Sequence, residues 1–491
     1  MTRQHQFIGL DLGAESGRCI VVTLRDSKVE MQEIHRWPNR PVRLAGTLHW
    51  DVPFLFGEIL EGLRRCAEAG IDAEGISVDT WGVDFGLLGK DGKLLGNPVH
   101  YRDSRTEGIH EYSDPIMSRD EIFALTAYEP WALSSLFQLL SMQRDGSPLL
   151  DIAETFLNIP DLLGYLLTGR KVSEMSIANT SNLMATDCTW AEDILDRFGL
   201  RRKMFADLVE PATVLGPLRP AIAEEVGLGE VPVIATCGHD TSAALAAVPA
   251  EGDDWAFISC GTWSVLGSLV DEPVATPRCL KLGFTNEYTI GGWYLARNIS
   301  GLWLVQQLRK KWDRPEDPWD YVRMTAEAVA ADSGALVDAA DDSLVAPADM
   351  EEALLALIRA SGQAEPTSRG QLVRCVLESL ALEYSRRIDV LGELLGSRPS
   401  CVYMVGGGIH NKLLCQLTAD ACDLAVHAGA DQCTAMGNAL GQALALGILK
   451  DRQEIRQVMR KSFEVTTYQP TNEDAWRRNR KRYADLCGTT R

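Results

Sequence analysis

Two stretches far apart in this chain read as the same strand–glycine turn–strand unit. Ile8 through Gly17, with Arg18 and the apolar run from Cys19, forms the first; Phe257 through Gly267 opens the second. Aligning Gly13 with Gly261 sets Ser16 opposite Ser264. Self-similarity at a long, fixed offset marks an internally duplicated chain, in which each half builds its own sheet from the same opening hairpin. On spacing alone, two unrelated hairpins would give the same pattern. Under the duplicated reading the domains span 1–248 and 255–491. They join in the Pro/Gly/Asp-rich segment Pro249–Asp254, a composition typical of an exposed connection.

The rest of the pattern is α/β, with short β-rich runs alternating with longer helical stripes. Phe7–Leu10, Cys19–Leu24, Gly75–Asp79, Val83–Leu88, Val231–Thr236 and Val402–Val405 read as strands. Apolar residues at helical spacing predict helices over Phe54–Ala67, Thr241–Ala247, Leu372–Leu395 and Asn411–Ala421. A further helix, Thr434–Ile448, is rich in small residues and contains Gly437 and Gly441.

Composition narrows the function. The 491 residues include 68 Asp and Glu against 48 Lys and Arg, a net charge of −20. That balance argues against a nucleic-acid binder, which needs a basic face for phosphates, and against a polybasic membrane-surface protein. Asp11 interrupts the only short apolar run near the start, so no signal peptide is expected, and no window is long and apolar enough for a transmembrane helix. The twelve cysteines contain no C-x-x-C pair and read as structural thiols in a reducing compartment. The expectation is an acidic, cytoplasmic, multidomain protein. Walker-type, H-E-x-x-H and G-x-S-x-G motifs are absent, as is a Cys/His cluster at zinc spacing. Arg477, Arg478, Arg480, Lys481 and Arg482 read as a solvated helix face.

Five motifs carry polar chemistry. In Asp11-Leu-Gly-Ala-Glu-Ser-Gly-Arg18, Gly13 and Gly17 permit tight turns whose N–H groups can face a phosphate; Ser16 adds a hydroxyl, Arg18 a charge, and Asp11 a carboxylate suited to Mg²⁺. The same stretch also reads as a hairpin with a solvated Asp. Cys260-Gly-Thr-Trp-Ser264 repeats the logic with Thr262 and Ser264 as donors, suggesting two jaws on one phosphate chain. In Cys237-Gly-His-Asp-Thr241, Asp240 fits an N-cap and equally a general base at the end of a strand. Val405-Gly-Gly-Gly408 fits either a loop or the resting place of a flat adenosine ring. Asp79-Thr-Trp-Gly-Val-Asp84 and Tyr101-Arg-Asp-Ser-Arg-Thr106 set polar groups among aromatics, as polyol recognition requires, although the second also suits surface ion pairs. Asn298, before an apolar helix, fits an N-cap or a binding role.

Taken together and in order, these motifs resemble the FGGY carbohydrate kinases of the actin/hexokinase/Hsp70-type ATPase superfamily. Asn158–Gly169, Asn298–Gln306, Gly406–Asn411 and Gly437-Asn438 extend the resemblance from residue 8 to about residue 450. It implies an α/β fold of two duplicated ribonuclease-H-like domains, each with a central mixed sheet, and an ATP and sugar cleft between them that closes about Pro249–Asp254. It also implies an ATP- and Mg²⁺-dependent kinase of a small-molecule ketose. The Asp79–Asp84 and Tyr101–Thr106 stretches are most similar to members that phosphorylate the primary hydroxyl of L-rhamnulose. An L-fuculose or other ketose or polyol kinase is the alternative, and a non-catalytic ATP-binding regulator a more distant one.

By position in the motifs, the resemblance makes Asp240 the catalytic base and Asp11 the Mg²⁺-associated carboxylate. Ala14, Glu15, Ser16, Gly17, Arg18, Thr262, Gln306 and Gly407 would bind nucleotide. Gly82, His239, Asp240, Thr241 and Asn298 would bind sugar. Glu15 departs from the small Ser frequent at its position, and either faces away from the phosphates or assists Mg²⁺.

Overall fold

The computed structural model describes residues 4–332 and 334–488. Its principal elements in chain order are β1 (His5–Leu12), β2 (Ser16–Arg25), β3 (Lys28–Pro38), α1 (Val52–Glu68), β4 (Ala73–Thr80), α2 (Ile159–Thr168), β5 (Thr213–Pro217), β6 (Pro232–Ala235) and α3 (Asp240–Ala246). There follow β7 (Ala256–Cys260), β8 (Trp263–Val270), β9 (Thr285–Thr289), β10 (Gly292–Ser300), α4 (Trp303–Trp312), α5 (Arg369–Leu395), β11 (Cys401–Val405), α6 (Lys412–Cys422), β12 (Ala425–Ala428), α7 (Cys433–Ala445) and β13 (Thr466–Tyr468). No helix among the described residues is long and apolar enough to cross a membrane.

The chain packs into two compact units that are not consecutive halves. The first holds the residues up to Val248 together with Val270–Leu295 and Gln432–Ser462; the second holds Pro249–Leu269, Ala296–Asp431 and the segment from Phe463. The two-halves expectation therefore differs from the packing at two segments. The reason lies in α7: its small residues let it pack closely within the first unit, where a Cβ on Gly441 would stand 3.0 Å from the Thr236 side chain. Gln442 also donates from α7 to the Ile8 carbonyl of β1 (2.9 Å).

The first unit is built on a six-stranded mixed sheet in the order β5–β6–β4–β1–β2–β3. β1 pairs antiparallel with β2 and parallel with β4, β4 pairs parallel with β6, and β6 antiparallel with β5. The strands in the middle, β1 and β4, are buried along their last six residues because helices cover both sheet faces. α1 begins at Asp51, whose carboxylate caps the Phe54 N–H (3.2 Å), and buries Leu55, Ile59, Leu63 and Cys66 against Leu10, Ile76 and Val233. Each such aliphatic side chain contributes about 2 kcal/mol on burial.

The second unit repeats the plan. β7 pairs antiparallel with its hairpin partner β8 and parallel with β11, β11 parallel with β12, and β12 antiparallel with β13. The sequence of pairings is that of β2–β1–β4–β6–β5, so the duplication read from two glycine turns extends to the sheet order. The 27-residue α5 lies in this unit and is buried along most of its length.

Several local expectations need correction. Neither Gly13 nor Gly17 has a positive φ. Gly17 sits inside β2, and it is glycine because a Cβ there would lie 2.3 Å from the Trp37 ring. Ser264 is no free donor, since it is fully buried with its hydroxyl 2.7 Å from that of Tyr384. Asn298 caps no helix; it is an exposed residue within β10. All twelve cysteines are free thiols, and Cys19 and Cys66 approach to 3.7 Å between sulfurs.

Candidate active site

Three parallel strands of the first unit end side by side, and the polar chemistry gathers there. The β1–β4 register pairs Asp11 with Asp79 and Leu12 with Thr80. Beyond β6, the Gly238 carbonyl accepts the Thr80 N–H (2.8 Å), and Thr80 and His239 form a parallel bridge. The chain leaves the sheet at these carboxyl ends and frees backbone groups for a ligand. Asp11, Gly82 and His239–Thr241, remote in sequence, are thereby brought to one edge.

Asp240 is the first residue of α3, and His239 occupies the N-cap position without a side-chain cap bond. Asp240 Oδ1 accepts the Thr241 N–H (2.6 Å) and lies 3.2 Å from the Thr241 hydroxyl. Its side chain keeps a third of its exposure. Burial of the site pushes its carboxyl above the ordinary range; the negative charge of Asp11 adds to this, while His239 and the Thr241 bonds oppose it. A carboxylate that is accessible, raised and fixed at its backbone has the attributes of a general base.

The loop leading to Asp240 is clamped from beneath. Glu174, fully buried, accepts the N–H groups of Ser176 (2.7 Å), Ile177 (3.3 Å) and Gly238 (2.8 Å) and the Ser176 hydroxyl (2.6 Å). Even with four donors, burial raises its carboxyl to about 7. His239 is held by the Ser176 hydroxyl through its N–H (3.3 Å) and by Glu287 Oε2 through its Nδ1 (3.1 Å).

The first glycine loop comprises residues 13–15, closed by a bond from the Gly13 N–H to the Ser16 carbonyl (3.0 Å). Asn39 pins it from both sides, donating its side chain to the Gly13 carbonyl (2.6 Å) and its N–H to the Glu15 carbonyl (2.9 Å). Ala14 is half-buried, and the Glu15 side chain is exposed. The Ser16 hydroxyl accepts from Arg36 (3.4 Å). Arg18 is not a free cation: it grips Asp11 Oδ2 through Nε (2.9 Å) and Nη2 (2.7 Å), and its Nη1 donates to Gln432 (2.8 Å).

Beside this pair stands Asp79, fully buried. Its Oδ2 accepts from Asn438 (2.6 Å), while Oδ1 has no hydrogen-bond partner. Burial, reinforced by the charge of Asp11, drives its carboxyl well above the ordinary range. An orphaned, buried acceptor oxygen beside a second carboxylate suits a hard cation. Among the described residues no three ligating side chains cluster. Mg²⁺ fits such a sparse set, because it retains waters and shares its coordination with substrate phosphates.

On the sugar-motif side, Gly82 packs against Thr180, 3.2 Å from where its Cβ would be, and Val83 takes a φ of +69°. A β-branched residue in that region is strained and persists only where neighbours impose it. Here the Val83 N–H donates to the Thr180 hydroxyl (2.9 Å), and its carbonyl accepts from Ser135 (2.5 Å) and Gln138 (3.2 Å). Asp84, buried next to it, accepts from the indoles of Trp50 (2.6 Å) and Trp81 (3.1 Å), from Gln138 (3.0 Å) and from the Tyr101 N–H (3.2 Å). Burial raises it to about 6 against those four donors. Trp81, Trp50, His100 and Tyr101 stack successively at 3.9, 4.3 and 4.5 Å between centroids.

The second unit gathers its own glycine-rich edge. The Gly261 and Thr262 carbonyls accept the N–H groups of Leu302 and Trp303 (both 2.9 Å), which ties the β7–β8 turn to the start of α4. A Cβ on Gly301 would lie 2.7 Å from Trp263 backbone, and one on Gly408 would lie 2.3 Å from Cys260 Sγ, so both glycines serve close approach. Gly406 has a φ of +80°. Thr262 and Gly407 are exposed and Gln306, on α4, is half-buried, all three around this edge.

Sequence reading missed Glu287, Glu174 and Asn39. Only Glu174 offers a local signal, as the capping residue before Ser176. Glu287 and Asn39 lie in strand-rich segments with no motif, and only the tertiary fold brings them to the site.

Models of the FGGY family of carbohydrate kinases match the chain at residues 6–247 (N-terminal domain) and 256–446 (C-terminal domain). A rhamnulokinase of Bacteroides thetaiotaomicron is 38% identical over 96% of this chain and 97% of its own. One of Oceanobacillus iheyensis is 34% identical over 94% and 97%. Among solved structures, a xylulose kinase of Rhodospirillum rubrum superposes with a TM-score of 0.82 at 18% identity over 99% of each chain. Plasmodium falciparum glycerol kinase with ADP does so with a TM-score of 0.81 at 15% identity, over 99% of this chain and 98% of that one. The fold is thus that of two-domain sugar kinases.

Proposed function

The chain belongs to the FGGY family of carbohydrate kinases, and on that premise we propose that it transfers the γ-phosphoryl group of ATP to the primary hydroxyl of L-rhamnulose, giving L-rhamnulose 1-phosphate and ADP. The choice of sugar rests on similarity to rhamnulokinases along nearly the whole chain. The observation that carries the chemistry is the bridge that sets Thr80, two residues before Gly82, beside His239 at one strand edge, with the base-like carboxylate of Asp240 next in the chain.

In this reading Asp240 accepts the hydroxyl proton as the sugar oxygen attacks the γ-phosphorus and ADP departs. Little covalent work falls to the protein, so positioning and charge stabilisation dominate. Gly82, His239, Thr241 and Asn298 orient the ketose. The loop from Ala14 to Arg18 supplies phosphate contacts, with Thr262, Gln306 and Gly407 completing the nucleotide set. Asp11 would hold Mg²⁺, which when bound supplies positive charge against the phosphates. Arg18, paired with Asp11, balances its charge. A cytoplasmic location suits an enzyme that consumes ATP.

The test is ADP release across L-rhamnulose, L-fuculose, D-ribulose, L-ribulose, D-xylulose and glycerol. The highest kcat/KM is expected with L-rhamnulose. A higher value with L-fuculose or D-xylulose would reassign the substrate, and ADP release indifferent to every sugar would overturn the kinase reading.

A further inference from the structure

The His239 ring lies between two carboxylates. Its Nε2 stands 3.4 Å from Asp240 Oδ1, and its Nδ1 stands 3.1 Å from Glu287 Oε2. Glu287 belongs to β9 and is 4% exposed. The same Oε2 accepts the Tyr294 hydroxyl (2.5 Å), and the Ser242 hydroxyl lies 3.1 Å from that of Tyr294. The line Tyr294–Glu287–His239–Asp240 therefore joins β10, β9 and the base through side chains within one packing unit.

We propose that Glu287 is a positioning residue for the base: it fixes a proton on His239 Nδ1 and holds the ring as an imidazolium whose Nε2–H faces Asp240, so that the base stays anionic until it receives the sugar's proton. The inference rests on the assignment of Asp240 as the base.

The arrangement follows from charge balance. A buried carboxylate without a cation is costly, and the ring contacts both Glu287 and Asp240. The charged groups that face the ring, Glu287, Asp240 and Glu174, are all acidic. Burial draws the imidazole down, but the Glu287 bond and these three charges outweigh it, and the net direction is upward. The neutral neighbours are Ser176, which accepts the His239 backbone N–H, and Ser242, whose hydroxyl lies 3.5 Å from Nδ1. Tyr294 and Tyr128 near Glu287 are raised well above the ordinary phenol value by burial and stay neutral. A carboxylate already receiving the Tyr294 proton donor can only accept from Nδ1, which fixes that proton. The positive ring in turn pulls the Asp240 carboxyl down against its desolvation.

Glu287→Gln removes the anion and retains the shape. The acid limb of the pH profile of kcat/KM for the ketose is expected to move to higher pH. At pH 6 activity should fall about tenfold or more, with convergence toward wild type near pH 9 and KM for ATP unchanged. Glu287→Asp should recover part of the shift. Independently, ¹⁵N-detected imidazole spectra of the wild-type protein, assigned by difference against His239→Gln, should show both ring nitrogens protonated at pH 7. This second readout decides the matter if Glu287→Gln fails to fold. A ring neutral at pH 7, an unmoved profile, or an equal loss at every pH in a folded variant would overturn the proposal. Wild-type protein that releases no ADP with any ketose would overturn the underlying kinase reading, while the spectra would still report the state of His239.

Discussion

The Cβ that Gly437 lacks would fall 1.9 Å from the carbonyl oxygen of Ala243. α3, which carries the candidate base at its first residue, and α7 thus meet backbone to backbone. Gly437→Ala must push the helices apart, and overpacking costs about 1–3 kcal/mol, with a backbone contact this short at the upper end. A lowered urea midpoint is expected, together with reduced turnover, because α3 shifts with Asp240. Gly57 is the control: it is exposed in α1 with nothing within 4 Å of its missing Cβ. Gly57→Ala should stabilise by about 0.5–1 kcal/mol through helix propensity.

Stability should fall as pH rises through the weakly acidic range. The Glu174 carboxyl stands near 7 in the fold against an ordinary 4.5. Between those values the folded protein binds a proton that the unfolded chain has released, so folding weakens with rising pH and the cost is complete above about 7. Asp84, at about 6 against 3.8, acts in the same sense over a lower window. Glu174 alone corresponds to about 3 kcal/mol across its window. Urea unfolding from pH 4 to 8 measures the slope. Glu174→Gln should be less stable overall, because it loses acceptor capacity, yet flatter with pH between 4.5 and 7.

Local pattern was enough to reveal β1, β2, β4, β6 and β11 and the helices α1, α3, α5, α6 and α7, because alternation and helical spacing are properties of neighbours in sequence, whereas β3, β5, β9, β10, β12 and β13 went unread. The duplicated hairpin was readable for the same reason, and it extends to matching sheet order. The purpose of Gly17 was not readable: the residue that demands it, Trp37, sits on the next strand, and a turn glycine and a close-approach glycine look alike in a string. The pairing of Arg18 with Asp11 was hidden in the same way, since adjacent strands bring together residues seven apart that the motif presents as separate ligands. Glu287 lay furthest from view, because its partner His239 is joined to it only by packing between β9 and the start of α3. The return of residues 432–462 to the first unit had a trace in the glycines of α7, which the helical stripe alone could not interpret.

Asn39 should matter to nucleotide affinity more than to turnover. It spans the loop at residues 13–15 with two bonds, to the carbonyls of Gly13 and Glu15, and is 5% exposed. Asn39→Ala keeps the backbone bond and removes the side-chain one, leaving the loop free to sample conformations unsuited to phosphate. A loss of about 1–2 kcal/mol in binding corresponds to a roughly tenfold higher KM for ATP. Direct titration with ADP, in which chemistry plays no part, checks it. Unchanged affinity would mean that the loop does not meet the phosphates.

Asp240→Asn separates the candidate base from its scaffold. The carboxamide can keep the bond to the Thr241 N–H through its oxygen, so α3 should begin as before, and the variant should unfold close to the wild-type midpoint. What it lacks is a group able to take a proton, and general-base catalysis supplies about 10²- to 10⁴-fold in rate. The expected result is a kcat lowered by roughly 10³-fold with ATP affinity largely intact. The residual rate should also lose the acid limb that Asp240 imposes, because no group at that position titrates. Substantial turnover with an unchanged pH profile would move the base elsewhere and leave Asp240 with only its place at the start of α3.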